Sequence, residues 1–199
     1  MMEATRAEYL RTRVQQVYSS IATNPGSTHP FPIGRALAKN VGYSSQELHQ
    51  LPPAAVEAFA GVSAVSLFAN LESGATLLDL GCGAGLDSLI AARRVGSTGR
   101  VIGVDFSASM LIRARHNAVT MGLDNLQFLE ADAERLPLAD GSIDVVLVNG
   151  IFNLNPARTV IFAELARVVQ PGGAVYVAEL VLRKPLPPET IAQETDWFA

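Results

Sequence analysis

The stretch Thr76-Leu77-Leu78-Asp79-Leu80-Gly81-Cys82-Gly83-Ala84-Gly85 decides how the rest of the chain is read. A short apolar run ends in a carboxylate, and three glycines follow in alternate positions. Such a loop turns sharply and lets backbone approach a ligand without Cβ clashes. A helical pattern over 86–95 comes next, so its N-terminus points at the same space. The alternation then repeats. Apolar segments at 101–105, 126–131, 143–148 and 174–182 read as strands, and 107–121 and 156–169 read as helices. Asn155 is the expected N-cap of the last helix, with Pro156 at its first position. Strand–helix alternation predicts an α/β fold, a parallel sheet with helices on both faces. Ligands bind such sheets beyond the C-terminal strand ends, where the strand order reverses.

Those ends carry acids. Asp79 closes the first strand, and a buried carboxylate is costly to leave unpaired. A ligand ammonium would pair it; the competing reading is a turn capped through its own backbone amides. Asp105 closes the second strand about 20 residues past the glycine loop, a spacing that suits ribose hydroxyls. An N-cap is the alternative, but Ser107 already fits that task. Asp132 follows the third strand and suits an exocyclic adenine amine, with the Ala133 amide donating to the ring. The fourth strand ends in Asn149-Gly150. Asn149 and Asn153 offer neutral donors and acceptors there, or simply form turns. Gln170-Pro171-Gly172-Gly173 is expected to turn the chain into the fifth strand.

Composition narrows the classes. Of 199 residues, 49% are apolar and 17% charged, which excludes global disorder. A chain of this length buries roughly 70% of its unfolded surface without disulfides or a structural metal. A single cysteine, Cys82, excludes an internal disulfide framework and a thiolate metal cage, and no metal site is expected. A net charge of −4 argues against nucleic acid as partner. No secretory signal and no apolar run of about 20 residues is found, so no membrane partner is expected and a cytoplasmic protein is the default.

Residues 1–74 form a separate helical zone ahead of a core at 75–199. Leu10, Val14, Val17 and Ile21 recur at helical spacing. A Pro-, Gly- and Ser-rich loop runs from Asn24 to Gly34. Ser44 and Glu47 fit a capping box. Pro52-Pro53 opens an Ala-rich helical stretch through Phe59, Val65 and Leu71. His29, His49 and His116, the last in a basic patch with Arg113 and Arg115, read as surface residues, and Trp197 as a packing residue.

Taken in order, these motifs resemble the class I S-adenosylmethionine-dependent methyltransferases over roughly residues 74–182. The likeness rests on Asp79 to Gly85, Asp105, Asp132-Ala133, the Leu136-Pro137 segment through Asp144, and Pro171-Gly172-Gly173. It implies a Rossmann-like sheet of order 3-2-1-4-5 and S-adenosylmethionine as cofactor. Asp79 and the amides of Gly81, Cys82, Gly83 and Gly85 would lie near the methionine moiety, with Asn149 close by. Asp105 would hold ribose, Asp132 and Ala133 adenine, and Phe106 and Met110 would flank the nucleoside.

Gly42 to Leu48, Arg93 to Asp105 and Asn149 to Leu154 look like the arsenite-methyltransferase branch. That chemistry needs several thiolates on a soft ion. Gly150 stands where that group carries cysteine, and Ala58-Phe59-Ala60-Gly61-Val62 has no thiol. Arsenite is therefore rejected as substrate, and Cys82 reads as a small filler of the loop.

The resemblance implies in-line methyl transfer to a small-molecule acceptor. Orientation alone contributes about 7–11 kcal/mol to such a step. The candidate catalytic residues are Asn149, Asn153 and Tyr18, the last as a contact from the helical lid or as part of its apolar stripe. Phe31, Phe59, Ile151 and Phe152 are expected to line the acceptor pocket. A cofactor-binding module with weak catalysis, acting through a partner, is the competing reading. A nicotinamide oxidoreductase explains less, since its third glycine would fall at Leu86. The family usually adds two strands after the fifth. Here Pro185, Pro187 and Pro188 and a helix near Glu189 follow, so that strand pair is expected to be missing. An exposed edge on strand five would then invite self-association.

Overall fold

A computed structural model describes residues 2–184, with side chains from Glu8 onward. Pro185, Pro187, Pro188, the helix expected near Glu189 and Trp197 lie outside the described residues. Five strands, β1 (Thr76–Leu80), β2 (Arg100–Asp105), β3 (Leu126–Glu130), β4 (Ile143–Asn149) and β5 (Val169–Ala178), form one sheet. Its order is β3-β2-β1-β4-β5 and every pairing is parallel. The order reverses between β1 and β4, so the C-terminal ends of these two strands flank the crevice. The expected architecture is the observed one.

Alternation along the strands sorts side chains to two covered faces. Leu77, Val101, Val145 and Leu147 pack with Ala91, Ala92 and Val95 of α6 (Leu86–Val95). Leu78, Leu80, Ile102, Val104, Val146 and Val148 pack with Ile161, Leu165 and Val168 of α8 (Arg158–Val168). Helix α7 (Ala108–Thr120) adds Leu111, Ala114 and Ala118 to a cluster that reaches the N-terminal helices.

Those helices are α1 (Met2–Thr23), α2 (Gly34–Asn40), α3 (Ser45–His49), α4 (Pro53–Glu57) and α5 (Val65–Phe68). Leu10, Val14 and Ile21 of α1 are buried, as their spacing predicts. Ser44 and Glu47 form the expected capping box. The Ala-rich stretch is not one helix. It breaks between α4 and α5, where the segment 58–64 meets Asn149 at the end of β4. Helix α2 begins at Gly34, straight after the predicted loop.

Three further boundaries differ. Helix α8 starts at Arg158, because Asn155 Oδ1 accepts the Ala157 amide (2.7 Å) and holds a turn ahead of the helix. Gln170-Pro171-Gly172-Gly173 lies inside β5 as a bulge: Ile143 faces Val169, while Val145 faces Ala174. Strand β5 also ends at Ala178, whose partner Asn149 is the last residue of β4. Beyond it, Glu179 accepts the amides of Phe152 (2.6 Å) and Leu180 (3.0 Å), which turns the chain away.

Candidate functional site

One cavity opens at the switch point, and nearly every residue singled out in the sequence reaches it. Its lining includes Asp79, Gly81, Cys82, Gly83, Asp105, Phe106, Met110, Asp132, Ala133 and Asn149, with Tyr18 from α1. Phe59 and Ile151 also line it, but Phe31 and Phe152 do not. Phe31 packs on the Tyr18 ring instead, with centroids 5.8 Å apart. Phe152 stacks on Phe162 at 4.6 Å.

The glycine loop divides its work. Gly83 has φ +52°, and a Cβ there would meet nothing within 4 Å, so its backbone lies open to the cavity. Gly85 is outside the lining and serves packing: its Cβ would press on Phe128 (3.2 Å) and Ala114 (3.3 Å). Cys82 is buried among Leu86, Leu111 and Phe128. Burial, then the nearby Asp105 and Asp79, pushes its thiol well above the ordinary range.

Three carboxylates sit beneath the loop. Asp105 accepts the amides of Gly83 and Ser107, both at 2.8 Å, one on each oxygen. Burial still raises it to about 6. Ser107 caps α7, so Asp105 is free of that task. Asp79 accepts the Ser88 hydroxyl, and burial followed by the charge of Asp87 raises it to about 8. Asp87, in the first turn of α6, accepts the Tyr43 hydroxyl, the Ser66 amide (3.2 Å) and the Asn149 Nδ2 (2.9 Å). Among the described residues, none of the three is ion-paired with a basic side chain. The cavity floor is therefore an acidic basin suited to a cationic ligand.

Asn149 is a strut more than a free catalytic amide. Its Oδ1 accepts the amides of Val62 (2.8 Å) and Ser63 (3.2 Å), and its Nδ2 donates to Ser63 O (2.8 Å) and to Asp87. That uses all four of its hydrogen-bonding positions. Asn153 is outside the lining, with a buried Oδ1 that has no partner among the described residues. Tyr18 remains at the cavity wall as a neutral phenol, raised by burial and then by Asp105 and Glu179.

Sequence reasoning missed Arg11, Asp87 and Gly61. Arg11 lines the cavity and pairs with Glu134, which also accepts Asn155 Nδ2 (3.1 Å). Gln15 donates to Phe106 O (3.1 Å), so α1 is tied down along that rim. A Cβ at Gly61 would sit 2.6 Å from Asn149 Nδ2, so only glycine lets the segment close on the strut. The histidines stay away: His49 and His116 are exposed, and His29 bonds Asn24 O (3.0 Å). Arg113 and Arg115 of the basic patch bond the carbonyls of Ala54 and Phe128, both at 3.1 Å.

The donor set fits S-adenosylmethionine. The open backbone at Gly83 and the carboxyl groups of Asp105 and Asp79, paired with no basic side chain among the described residues, match an extended nucleoside bearing positive charge.

Comparison with known proteins gives the same direction. A family profile described as "Methyltransferase domain" matches residues 71–198. An arsenite methyltransferase from Halobacterium salinarum is 35% identical over 150 residues, which is 75% of this chain and 38% of that protein. A demethylmenaquinone methyltransferase from Oceanobacillus iheyensis is 39% identical over 111 residues, 55% of this chain and 46% of that protein. The chain thus spans less than half the length of these curated relatives. Among solved structures, an arsenic(III) S-adenosylmethionine methyltransferase from Chlamydomonas reinhardtii superposes with TM-score 0.62 and 27% identity, over 85% of this chain and 58% of that one. The [4+2]-cyclase SpnF superposes with TM-score 0.63 and 26% identity, over 86% and 61%.

Proposed function

The chain belongs to the class I S-adenosylmethionine-dependent methyltransferase family, and on that premise we propose that it methylates a small-molecule acceptor other than arsenite. The observation that carries this reading is the convergence of Asp79, Gly83, Asp105 and Asp132 on one cavity at the switch point. When bound, S-adenosylmethionine supplies a methyl group on a positively charged sulfur.

The chain's residues orient the rest. Asp105 accepts the ribose hydroxyls, Asp132 and the Ala133 amide select adenine, and Phe106 and Met110 cover its faces. Asp79 attracts the amino acid end. The helical zone 1–74 acts as lid, through Tyr18 and Arg11. Phe59 and Ile151 give the acceptor side an apolar wall that excludes water. No side chain of the lining needs to act as base when the acceptor is already nucleophilic.

Arsenite is set aside on chemistry. A soft ion asks for several thiolates. The chain has one cysteine, buried and held as the neutral thiol. Position 150 is a glycine at φ +78°, where a side chain would be strained.

Titration calorimetry tests the reading. S-adenosylmethionine and its demethylated product should bind, NAD should not, and Asp105→Ala should weaken binding at least about 30-fold, through loss of charge-assisted hydrogen bonds of about 1.5–3 kcal/mol each. Unchanged affinity in Asp105→Ala, or stoichiometric tight binding of arsenite, would overturn it.

A second reading is a cofactor-binding module that acts through a partner. It is favoured by Asn149 being fully hydrogen-bonded and by the absence of histidine from the lining among the described residues. Methyl turnover against a panel of acceptors separates the two. A cytoplasmic location without nucleic-acid or membrane partners belongs to both readings; among the described residues no helix is long and apolar enough to cross a membrane. So does self-association along the outer edge of β5, where Val175 and Val177 are exposed. Light scattering should then show a dimer, and a monomer at high concentration would reject it.

A further inference from the structure

We propose that Asp87 is part of the cofactor site: it shares one proton with Asp79 in the ligand-free protein, and the ammonium of S-adenosylmethionine expels that proton to solvent. The proposal rests on the cofactor reading above.

Both carboxylates are almost fully buried, and burial, then the charge of Asp87 and after it that of Asp105, raises Asp79. Two ions of like sign cannot both be held in such a place without a counter-ion. Among the described residues, no packed element pairs either carboxylate with a cation. Tyr43, ahead of α3, gives a neutral hydroxyl to Asp87. Helix α5 gives the Ser66 amide, β4 gives Asn149, and α6 gives the Ser88 hydroxyl. The end of β2 brings Asp105, a third acid, and the glycine loop brings the Cys82 thiol. The cations near the site are engaged elsewhere. Arg94 donates to the carbonyls of Ser66 and Ala69, and Arg11 pairs with Glu134.

The distribution of donors says where the proton rests. Asp87 has three donors from three elements and is the better-stabilised anion. Asp79 has Ser88 alone, through hydroxyl and backbone, although both carboxylates line the cavity. So Asp79 carries the proton in the free protein. When the ammonium arrives it donates to Asp79, the carboxylic O–H bond breaks, and the proton leaves to buffer. The pair then holds two anions beside one new cation. Asp87, held by Tyr43, Ser66 and Asn149, is a positioning residue that sets the protonation of Asp79.

The test is calorimetric titration of the wild-type protein with S-adenosylmethionine in phosphate and in Tris at matched pH. About one proton should be released at pH 7, with affinity rising about tenfold per pH unit between pH 6 and 7; well above about pH 8, where Asp79 is already ionised and the free ligand's amine is neutral, binding should instead take up a proton. Binding without proton exchange at pH 7 overturns the proposal and leaves the cofactor reading standing. Absence of binding heat and of competition by the demethylated product at every pH overturns both. The demethylated product keeps the ammonium, so it should release the same proton; release with S-adenosylmethionine alone would assign the effect to the sulfonium and overturn the mechanism.

Asp87→Asn should cut the proton count by at least half and flatten the pH profile. An unchanged count removes Asp87 from the pair. Tyr43→Phe serves where Asp87→Asn does not fold. It takes one donor from Asp87, so the midpoint of the affinity profile should move to higher pH, and an unmoved midpoint counts against the proposal.

Discussion

Tyr18 shows how one residue can satisfy two readings at once. It continues the apolar stripe of α1, and it also stands at the cavity wall against Phe31. Its side chain is partly exposed and packs at the edge of a small cluster with Phe31, so truncation removes cavity wall as well as packing. Tyr18→Ala should weaken S-adenosylmethionine binding about tenfold, equivalent to about 1.4 kcal/mol. The melting temperature should move by less than about 4 °C, on the scale of 1 kcal/mol for a chain of this size. Calorimetry and a thermal melt together check this, and the opposite pattern would make Tyr18 a packing residue. At this scale the strand-end acids were legible in the sequence. A carboxylate that interrupts an apolar run stands out, and strand direction fixes which end it occupies. Arg11 was not legible, because only the packing of α1 on α7 brings it to the rim. Asp87 carried a weak signal, an acid eight positions past Asp79 in the first turn of a helix. The Gly85 amide was read as ligand-facing because spacing cannot tell a cradle glycine from one that makes room for Phe128.

Elements meet through Asn149. It joins the end of β4 to the segment between α4 and α5, and to Asp87 on α6. Asn149→Ala leaves the Val62 and Ser63 amides without their acceptor. Each buried unpaired group costs about 1–3 kcal/mol, so a loss of about 3 kcal/mol is expected. A differential scanning calorimeter should register a fall of roughly 6–12 °C. A fall below about 2 °C would mean that the segment is held by other contacts. Helices α6 and α7 were found from sequence almost to the residue, since glycines and Ser107 mark where they start. The break between α4 and α5 was hidden. Nothing local in Ala58–Ala64 announces a partner on β4, more than 80 residues later. The bulge in β5 was half legible: Pro171, Gly172 and Gly173 marked a turn, but not that Val169 already pairs with Ile143.

On the scale of the whole molecule, the acidic basin sets the pH response. Asp79 and Asp105 are raised in the folded chain, to about 8 and about 6. The stability they contribute is complete below about pH 4, where the unfolded chain also holds their protons. It is lost as pH rises through about 6 and then about 8, by up to about 1.4 kcal/mol per pH unit for each proton. Glu164, lowered to about 2 by Arg167, acts only below this window. The ligand-free protein should therefore melt at a lower temperature at pH 8.5 than at pH 5.5. A flat or rising profile would show that the basin finds compensating charge. Cys82 lies directly beneath this basin as the one cysteine of the chain, closed in by the glycine loop and Phe128. It also belongs to the cavity lining, so a ligand seated there covers the approach to the thiol. Alkylation of Cys82 should therefore slow as the cavity fills, and the protein carries its own chemical reporter of occupancy.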